Sequence, residues 1–158
     1  MYESFIGIDP GQKGGIAIID KSGITAEIMP MQEKQIQIRE ICEYLEPLKN
    51  PVVAIEKVHA MPKQGVSSTF TFGRGVGELI GMLKALKIPF FEVTPQEWKK
   101  VVLVGLNWKK NKKASIEYCN LLHPKLDLYR TTKCTTQHDG MADALCMAEY
   151  AKFRYGSK

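Results

Sequence analysis

The sequence predicts an α/β protein, and three observations lead to this prediction. Short apolar runs that end in turn residues recur along the chain, as strands do. The first three runs follow one another closely, which is typical of an antiparallel meander. The later runs alternate with longer segments whose apolar residues recur at helical spacing. Strands followed by alternating helices and strands indicate a sheet covered by helices.

Four strands and one helix are predicted in the first part of the chain. The helix covers residues 33–48, where apolar side chains recur among charged ones. The last of the four strands is a continuous apolar run, which suits a buried central position. Asp9 and Glu56 each stand at the end of a strand. The strands cover residues 5–9, 16–20, 24–29 and 52–56.

One strand and four helices are predicted in the remainder of the chain. Ser67 or Ser68 is expected to cap a long helix. Three small residues of this helix, Gly73, Gly75 and Gly77, would let it pack close to a neighbour. The strand covers residues 88–93, and the other helices begin at Pro95, after Lys113 and near Gln137.

Length and charge predict a single domain, residues 1–158, with a polyanionic partner. A chain of 158 residues is long enough for one buried core and short for two. The formal net charge is +5 and the pI is about 9.0, which favours a partner such as nucleic acid.

The cysteines and the first residues predict a cytoplasmic protein without a membrane partner. The cysteines lie far apart, which argues against a zinc site or a disulfide framework and fits a reducing compartment. The start of the chain has no basic segment of a signal peptide, and Asp9 interrupts the apolar run that follows. The cysteines are Cys42, Cys119, Cys134 and Cys146.

Four acidic residues are candidates for one catalytic metal site. Asp9 and Glu56 follow apolar strands, and Asp139 and Asp143 are four residues apart on one face of the last helix. Carboxylates held close together raise one another's pKa unless cations neutralise them. Mg²⁺ prefers such oxygen ligands. Two such ions about 4 Å apart can activate a water and stabilise the leaving oxygen in phosphodiester hydrolysis.

Each acid also has a purely structural interpretation. Asp9 would support a turn, Glu56 would pair with Lys57 or another base, and Asp139 would cap the last helix. These roles are common for single residues, so the hypothesis of a metal site depends on all four acids together.

Five short motifs stand in an order and at spacings that span nearly the whole chain. They are Gly7-Ile8-Asp9-Pro10-Gly11, Ile55-Glu56-Lys57-Val58, Phe72-Gly73-Arg74-Gly75-Val76, Pro95-Gln96-Glu97-Trp98-Lys99 and Ala142-Asp143-Ala144-Leu145. Together with the Lys-rich segment that ends at Lys113, they resemble the RuvC family of Holliday junction resolvases, especially its phage-type members.

The resemblance implies a ribonuclease-H-like fold, in which helices flank a mixed five-stranded sheet. It also implies a crossover junction endodeoxyribonuclease that acts as a homodimer on four-way and other branched DNA. Such an enzyme nicks two strands symmetrically by hydrolysis that depends on two Mg²⁺ ions per active site, or on Mn²⁺ in their place. The Gly-spaced helix is a candidate for the dimer contact, although burial inside one subunit explains its glycines equally well.

The resemblance assigns catalytic roles to residues that match the family's motifs. Asp9, Glu56 and Asp143 match its metal ligands. The fourth acid of the family usually stands three residues before the last one, where this chain has Gly140. We expect Asp139 to take its place, with His138 as the alternative.

Two lysines and one histidine match further positions of the family. Lys99 and Lys113 match lysines near the scissile phosphate, where a cation stabilises developing charge. A solvated basic surface is the alternative interpretation of both. His59 stands where relatives often carry an aromatic wedge for the junction, and its stacking would be weaker.

Other basic and aromatic residues are candidates for nucleic-acid binding. Trp108 lies beside a run of lysines, a composition that can stack on a base while contacting phosphates. Arg74 would contact phosphate or pair with Glu78. The remaining candidates are Lys57, Lys63, Lys110, Lys112, Lys113, Arg130 and Lys133.

Three other functions are compatible with these motifs. An ATP-handling enzyme of the actin and sugar-kinase superfamily also begins with such a hairpin, but it needs two domains around a cleft. A catalytically weak junction-binding protein would keep the fold without turnover, and metal-dependent cutting would exclude it. A less selective ribonuclease-H-like nuclease would lack the dimer and the preference for branched DNA.

Overall fold

The computed structural model describes residues 1–59 and 65–156. Seven strands and five helices are found there. In chain order they are β1 (Ser4–Asp9), β2 (Gly15–Asp20), β3 (Gly23–Ile28), β4 (Met31–Gln32), β5 (Gln35–Ile36), α1 (Ile38–Leu45), β6 (Pro51–Glu56), α2 (Val66–Ala85), β7 (Phe90–Val93), α3 (Pro95–Val102), α4 (Ala114–Leu122) and α5 (Asp139–Tyr155).

Five of the strands form one mixed sheet in the order β3-β2-β1-β6-β7. β1, β2 and β3 are the predicted antiparallel meander. β6 pairs with β1 in parallel, and β7 pairs with β6 in parallel. The predicted α/β fold with a five-stranded mixed sheet is therefore confirmed.

Helices cover both faces of this sheet. Because side chains alternate along a strand, Ile6 and Ile8 of β1 point to one face and Phe5 to the other. The face with Ile6 and Ile8 packs against residues of α1 and α2. The face with Phe5 packs against residues of α3, α4 and α5, among them the fully buried Trp98. β1 and β6 lie at the centre, so their buried apolar runs suit two covered faces.

The predicted helix over residues 33–48 is wrong in its first part. Residues 31–36 form the small hairpin of β4 and β5 instead, and α1 covers only Ile38–Leu45. Glu33 and Lys34 both adopt positive φ, at 48° and 64°, as the two central residues of a tight hairpin turn do. The position of Ile36 fits the apolar spacing of a helix as well as that of a strand. In the structure its side chain is buried against Gly75 of α2, which is a contact between segments far apart in the chain.

The long helix α2 begins differently from the prediction. Its N-cap is Gly65, with no side-chain hydrogen bond, so Ser67 and Ser68 lie inside the first turn and do not cap it. Only one of its first three glycines meets a close neighbour, since an added β-carbon at Gly75 would stand 3.0 Å from Ile36.

The predicted start of α3 at Pro95 is confirmed. The Thr94 hydroxyl accepts a hydrogen bond from the Glu97 amide, and the Glu97 carboxylate accepts one from the Thr94 amide at 2.8 Å. This capping box, followed by Pro95, sets the first turn of the helix. It thereby fixes the direction in which Trp98 and Lys99 leave the helix.

Two expectations from composition can be compared with the structure. All four cysteines are free thiols, in agreement with the absence of a disulfide framework. Among the helices of residues 1–59 and 65–156, none has the length and apolar character needed to cross a bilayer.

Candidate active site

Asp9 and Glu56 stand side by side at one edge of the sheet. β1 and β6 run parallel, and their register pairs Ile8 with Ile55, the residue before each acid. The two strands therefore end at the same edge, and the carboxylates follow on neighbouring strands. Both acidic residues are largely buried. The sheet thus brings together the two acids that the sequence placed at strand ends.

Helix α5 brings Asp143 to the same edge because its backbone lies directly on β1 and β2. At Gly7 on β1, an added β-carbon would stand 1.9 Å from the carbonyl oxygen of Ala144. At Gly15 on β2, it would stand 2.8 Å from the carbonyl oxygen of Gly140. Only glycine leaves room for a helix at both points. Asp143 lies between these two contacts along α5.

The pKa of Asp9 shows how closely these acids interact. The pKa of Asp9 is raised from 3.8 to about 8, chiefly by burial and also by the charges of Glu56 and Asp143, while the charge of Lys99 opposes the rise. A carboxyl group that loses water and faces like charges holds its proton more tightly. At neutral pH and without a cation, this edge of the sheet therefore carries less than its full negative charge.

Glu56 and Asp143 are each held by a neutral hydrogen-bond donor. Burial raises the pKa of Glu56, and the hydrogen bond from Trp98 opposes this rise. Burial also raises the pKa of Asp143, and there the hydrogen bond from Ser115 opposes it. Ser115 is buried at the start of α4. Two different helices thus supply one donor each to the acidic cluster.

The position of the family's fourth acid is closed by backbone packing. An added β-carbon at Gly140 would stand 2.2 Å from the carbonyl oxygen of Lys13, so no acidic side chain fits there. Asp139 is exposed in the first turn of α5, and its charge acts on Asp143. His138 is the N-cap of α5, where its Nδ1 accepts a hydrogen bond from the Met141 amide at 3.2 Å.

The donor chemistry of this edge fits a hard divalent cation, although the side chains are not gathered around one. Within residues 1–59 and 65–156, no group of three or more His, Cys, Asp or Glu side chains is arranged to hold a metal ion. Asp9, Glu56 and Asp143 are nevertheless close enough to act on one another's ionisation. Such mutually repelling oxygen donors are the ligands that Mg²⁺ takes in proteins.

The two predicted catalytic lysines occupy different parts of the site. Lys99, on α3, lowers the pKa of Asp9, Glu56 and Asp143 through its charge, so its ammonium lies near all three. Lys113 is the N-cap of α4 and lines an open cleft of about 790 Å³ together with Asp139. Lys99 therefore lies near the three acids, whereas Lys113 shares a cleft with Asp139.

The predicted nucleic-acid contacts lie on several different elements. Arg74 forms the alternative ion pair, with its Nε 3.5 Å from Glu78 Oε1, and it also lines a cleft of about 440 Å³ beside Gly11. Trp108 is half-buried against the core, and the Lys109 ammonium lies 5.8 Å from its ring centre. Lys57 and His59 are exposed just beyond β6.

The other basic candidates are also at the surface where the structure describes them. Arg130 lines a further cleft together with His138. Lys63 lies outside the described residues. The exposed side chains are those of Lys110, Lys112, Lys113, Arg130 and Lys133.

Two polar contacts of the site were not predicted from the sequence. Trp98 belongs to one of the five motifs, where its N–H group has no predicted role, and Ser115 belongs to none of them. No local pattern reveals a tryptophan or serine that faces a carboxylate from another element. One signal was available, because a tryptophan at a helix position that faces the core needs a partner for its N–H group.

The sheet order, the helices on both faces and the acidic strand ends define a ribonuclease-H-like α/β fold. Thermus thermophilus RuvC in complex with a Holliday junction substrate has the same fold, with a TM-score of 0.61, 14% identity, and coverage of 98% of this chain and 97% of that chain. Another Thermus thermophilus RuvC structure gives a TM-score of 0.62 and 17% identity over 97% of this chain and 96% of that chain.

The yeast mitochondrial Holliday junction resolvase Ydc2 is similar at a TM-score of 0.58 and 15% identity, covering 94% of this chain and 78% of that chain. No protein-family model matches the sequence, and no curated protein matches it. At these identities the likeness establishes the fold, which is of the RuvC type over almost the whole chain. The predicted resemblance is thereby confirmed for the architecture.

Proposed function

We propose that this chain is a structure-selective endonuclease that resolves four-way and other branched DNA junctions by metal-dependent phosphodiester hydrolysis. The observation that carries the proposal is the position of Asp9, Glu56 and Asp143, which meet at one edge of a RuvC-type sheet. Burial raises the pKa of all three carboxyl groups, and nearby carboxylates raise each of them further: Glu56 and Asp143 act on Asp9, Asp143 acts on Glu56, and Asp139 acts on Asp143. Carboxylates with a purely structural role would be paired with basic side chains, whereas among the described residues Lys99 is the only cation whose charge acts on all three of these acids.

In the proposed mechanism the acids would hold divalent cations. Asp9, Glu56 and Asp143 would supply carboxylate oxygens, and the exposed Asp139 would add one from the first turn of α5. Bound Mg²⁺, or Mn²⁺ in its place, would supply a nucleophilic water at neutral pH and would stabilise the leaving oxygen. Cation binding would require Asp9 to release the proton that its raised pKa favours at neutral pH.

The lysines stabilise charge on the DNA. Lys99 lies near all three buried acids, where its ammonium would face the developing charge on a phosphate held at the cluster. Lys113 shares a cleft with Asp139 and would contact the phosphate next to it. The exposed basic residues would hold the arms of the junction, and such contacts weaken as salt increases.

A homodimer forms part of the proposal because two symmetric nicks need two active sites. The outward side of α2 is the candidate contact. Val66 and Phe70 are 88% and 72% exposed there, and added β-carbons at Gly73 and Gly77 would meet nothing within 4 Å. These residues share one helix face at i, i+4, i+7 and i+11 spacing. A second copy of this face would bury them and allow close helix packing.

The first test compares a labelled four-way junction with a matched linear duplex, each with Mg²⁺ and with chelator. Paired Mg²⁺-dependent nicks in the junction alone are expected for the wild type. Asp9→Asn, Glu56→Gln and Asp143→Asn should bind the junction and fail to cut it. Glu43→Gln, which changes an exposed acid on α1, is the matched control and should cut normally. Undiminished cutting by the first three variants would refute the proposed site.

One observation favours a second function, a junction-binding protein with weak turnover. Gly140 occupies the place of the family's fourth acid, and Asp139 is more exposed than the other three. Binding of the junction without nicks in Mg²⁺ or Mn²⁺ would establish this alternative. Equal cutting of junction and duplex would instead indicate a less selective nuclease.

A further inference from the structure

Trp98 is a core residue with two contacts that lead into the acidic cluster. It is fully buried on α3, at 0% exposure. Its Nε1 donates a hydrogen bond to Glu56 Oε1 at 3.4 Å. The ammonium of the next residue, Lys99, lies 5.0 Å from the centre of its ring. The Trp98 side chain therefore contacts both the Glu56 carboxylate and the Lys99 ammonium.

The hydrogen bond from the buried Trp98 restricts the orientation of the Glu56 carboxylate. An indole N–H is a donor only, and it can make one such bond. Because Trp98 is closed off from solvent, water cannot replace Glu56 as the acceptor without opening the core. The capping box of Thr94 and Glu97 holds the helix turn from which Trp98 projects. The donor is thus preorganised, and it constrains the direction in which one carboxylate oxygen of Glu56 points.

The ring face provides a place for Lys99 that leaves the acids unpaired. A cation within about 6 Å of a tryptophan ring centre is attracted by the ring quadrupole. Among the ion pairs of the described residues, none joins Lys99 to a carboxylate. Its charge nevertheless acts on Asp9, Glu56 and Asp143. Lys99 therefore stays close to the cluster without occupying the oxygens that a cation would bind.

We propose that Trp98 is a positioning residue of this site, whose N–H group orients Glu56 and whose ring holds Lys99 beside the three carboxylates. The role rests on the proposed function, because an oriented Glu56 matters for a metal site. A tryptophan that only fills the core would make the same packing contacts, and its N–H bond would have no effect on metal affinity.

Two different substitutions of Trp98 distinguish the effect of the N–H group on Glu56 from the effect of the ring on Lys99. Trp98→Phe keeps an aromatic ring and removes the N–H group, whereas Trp98→Leu removes both. Metal affinity is measured without DNA, by calorimetric titration of the whole protein with Mn²⁺. Partners that orient metal ligands typically change affinity by about 10–100-fold when they are removed. We expect Trp98→Phe to bind Mn²⁺ about tenfold more weakly than the wild type.

A matched control loses a hydrogen bond to a carboxylate elsewhere. Tyr44 donates such a bond to Glu40 at 3.2 Å on the opposite side of the sheet. Tyr44→Phe should therefore leave Mn²⁺ affinity at the wild-type value. An unchanged affinity in a folded Trp98→Phe would overturn the proposed role of the N–H group.

A second measurement requires no change at Trp98. The indole N–H signals of the two tryptophans are resolved by ¹H–¹⁵N NMR and assigned with Trp108→Phe. In the metal-free protein, Glu56→Gln should shift the Trp98 signal and leave the Trp108 signal in place. Mg²⁺ should then move the Trp98 signal in the wild type and not in Glu56→Gln. A Trp98 signal that ignores Glu56→Gln would rule out the hydrogen bond.

The role of the ring is tested by combining variants in the nicking assay. If the ring holds Lys99, then adding Lys99→Met to Trp98→Leu should lower the nicking rate much less than Lys99→Met does in the wild type. Equal reductions in both backgrounds would contradict this part of the proposal. If the wild type binds no metal at all, the proposed function fails, while the metal-free NMR comparison still decides whether Trp98 orients Glu56.

Discussion

Gly7 of β1 and Ala144 of α5 touch through their backbones, so that an added β-carbon at Gly7 would stand 1.9 Å from the Ala144 carbonyl oxygen. The helix therefore lies on the central strand without a layer of side chains between them. Asp143 is next to Ala144, and Asp9 ends the strand that contains Gly7. The close approach is thus the physical reason why these two carboxylates meet.

Gly7→Ala tests this relationship. The methyl group has no space against the helix backbone, so α5 must move away from β1 or the core must open. Overpacking of a core typically costs about 1–3 kcal/mol, and a clash with the backbone of α5 should reach the upper end. We expect a loss of about 3 kcal/mol in the free energy of unfolding, measured by urea titration.

The control for Gly7→Ala is a glycine with free space around it. An added β-carbon at Gly81 of α2 would meet nothing within 4 Å. Gly81→Ala should stabilise the protein by up to about 1 kcal/mol, because alanine is the better helix former. Similar effects of the two substitutions would mean that α5 does not lie directly on β1.

Gly140→Asp should fail to restore the family's usual acid. The aspartate β-carbon would collide with the Lys13 carbonyl oxygen at 2.2 Å, so the variant should lose stability and nick more slowly than the wild type. Thermal unfolding and the junction assay measure the two effects. Asp139→Asn provides the comparison, since it should reduce nicking without lowering the melting temperature. Faster nicking by a stable Gly140→Asp would refute this explanation of the displaced acid.

The raised pKa of Asp9 predicts a pH-dependent stability of the metal-free protein. The folded state holds this proton up to about pH 8, whereas the unfolded chain releases it near 3.8. The stabilising contribution is therefore complete below about pH 4 and is lost as the pH rises to 8. Asp9→Asn should melt higher than the wild type at pH 8.5 in chelator, by at least about 3 °C, and this advantage should vanish near pH 4.

Mg²⁺ should reverse the order of the melting temperatures, so that the wild type melts higher than Asp9→Asn. A cation that binds the folded wild type raises its melting temperature in proportion to the logarithm of the metal concentration, and Asp9→Asn should respond much less. Glu43→Gln should follow the wild type at every pH. If the melting temperatures of Asp9→Asn and the wild type in chelator differ by the same amount from pH 4 to pH 8.5, the Asp9 carboxyl group is not the source of the pH dependence.

Phe70→Glu should prevent self-association if the outward side of α2 is the dimer contact. Burying a carboxylate in an apolar interface without a partner is unfavourable, so sedimentation at micromolar concentration should change from dimer to monomer. Phe153→Glu is the matched control, because Phe153 is 73% exposed on α5. A monomeric wild type, or a dimer that tolerates Phe70→Glu, would remove this surface as the contact.

The local pattern of residues was enough to predict the order of the main elements and the positions of Asp9 and Glu56. Strand alternation, turn residues and the Thr94 cap act over a few residues, so their signals are readable in the sequence. The four-residue spacing of Asp139 and Asp143 is equally local. These features, with the motifs that resemble the RuvC family, predicted the fold that the structure shows.

Tertiary contacts decided what local patterns left open. Residues 31–36 became a hairpin because Ile36 packs against the distant Gly75, although its spacing also fits a helix. Backbone packing of Gly140 against Lys13 closed the position of the usual fourth acid. The donors Trp98 and Ser115 reach the acids from other helices, and the proton held by Asp9 depends on burial and on charges from three elements. Each of these outcomes depends on residues far apart in the chain, because burial and close contact exist only after the elements have packed.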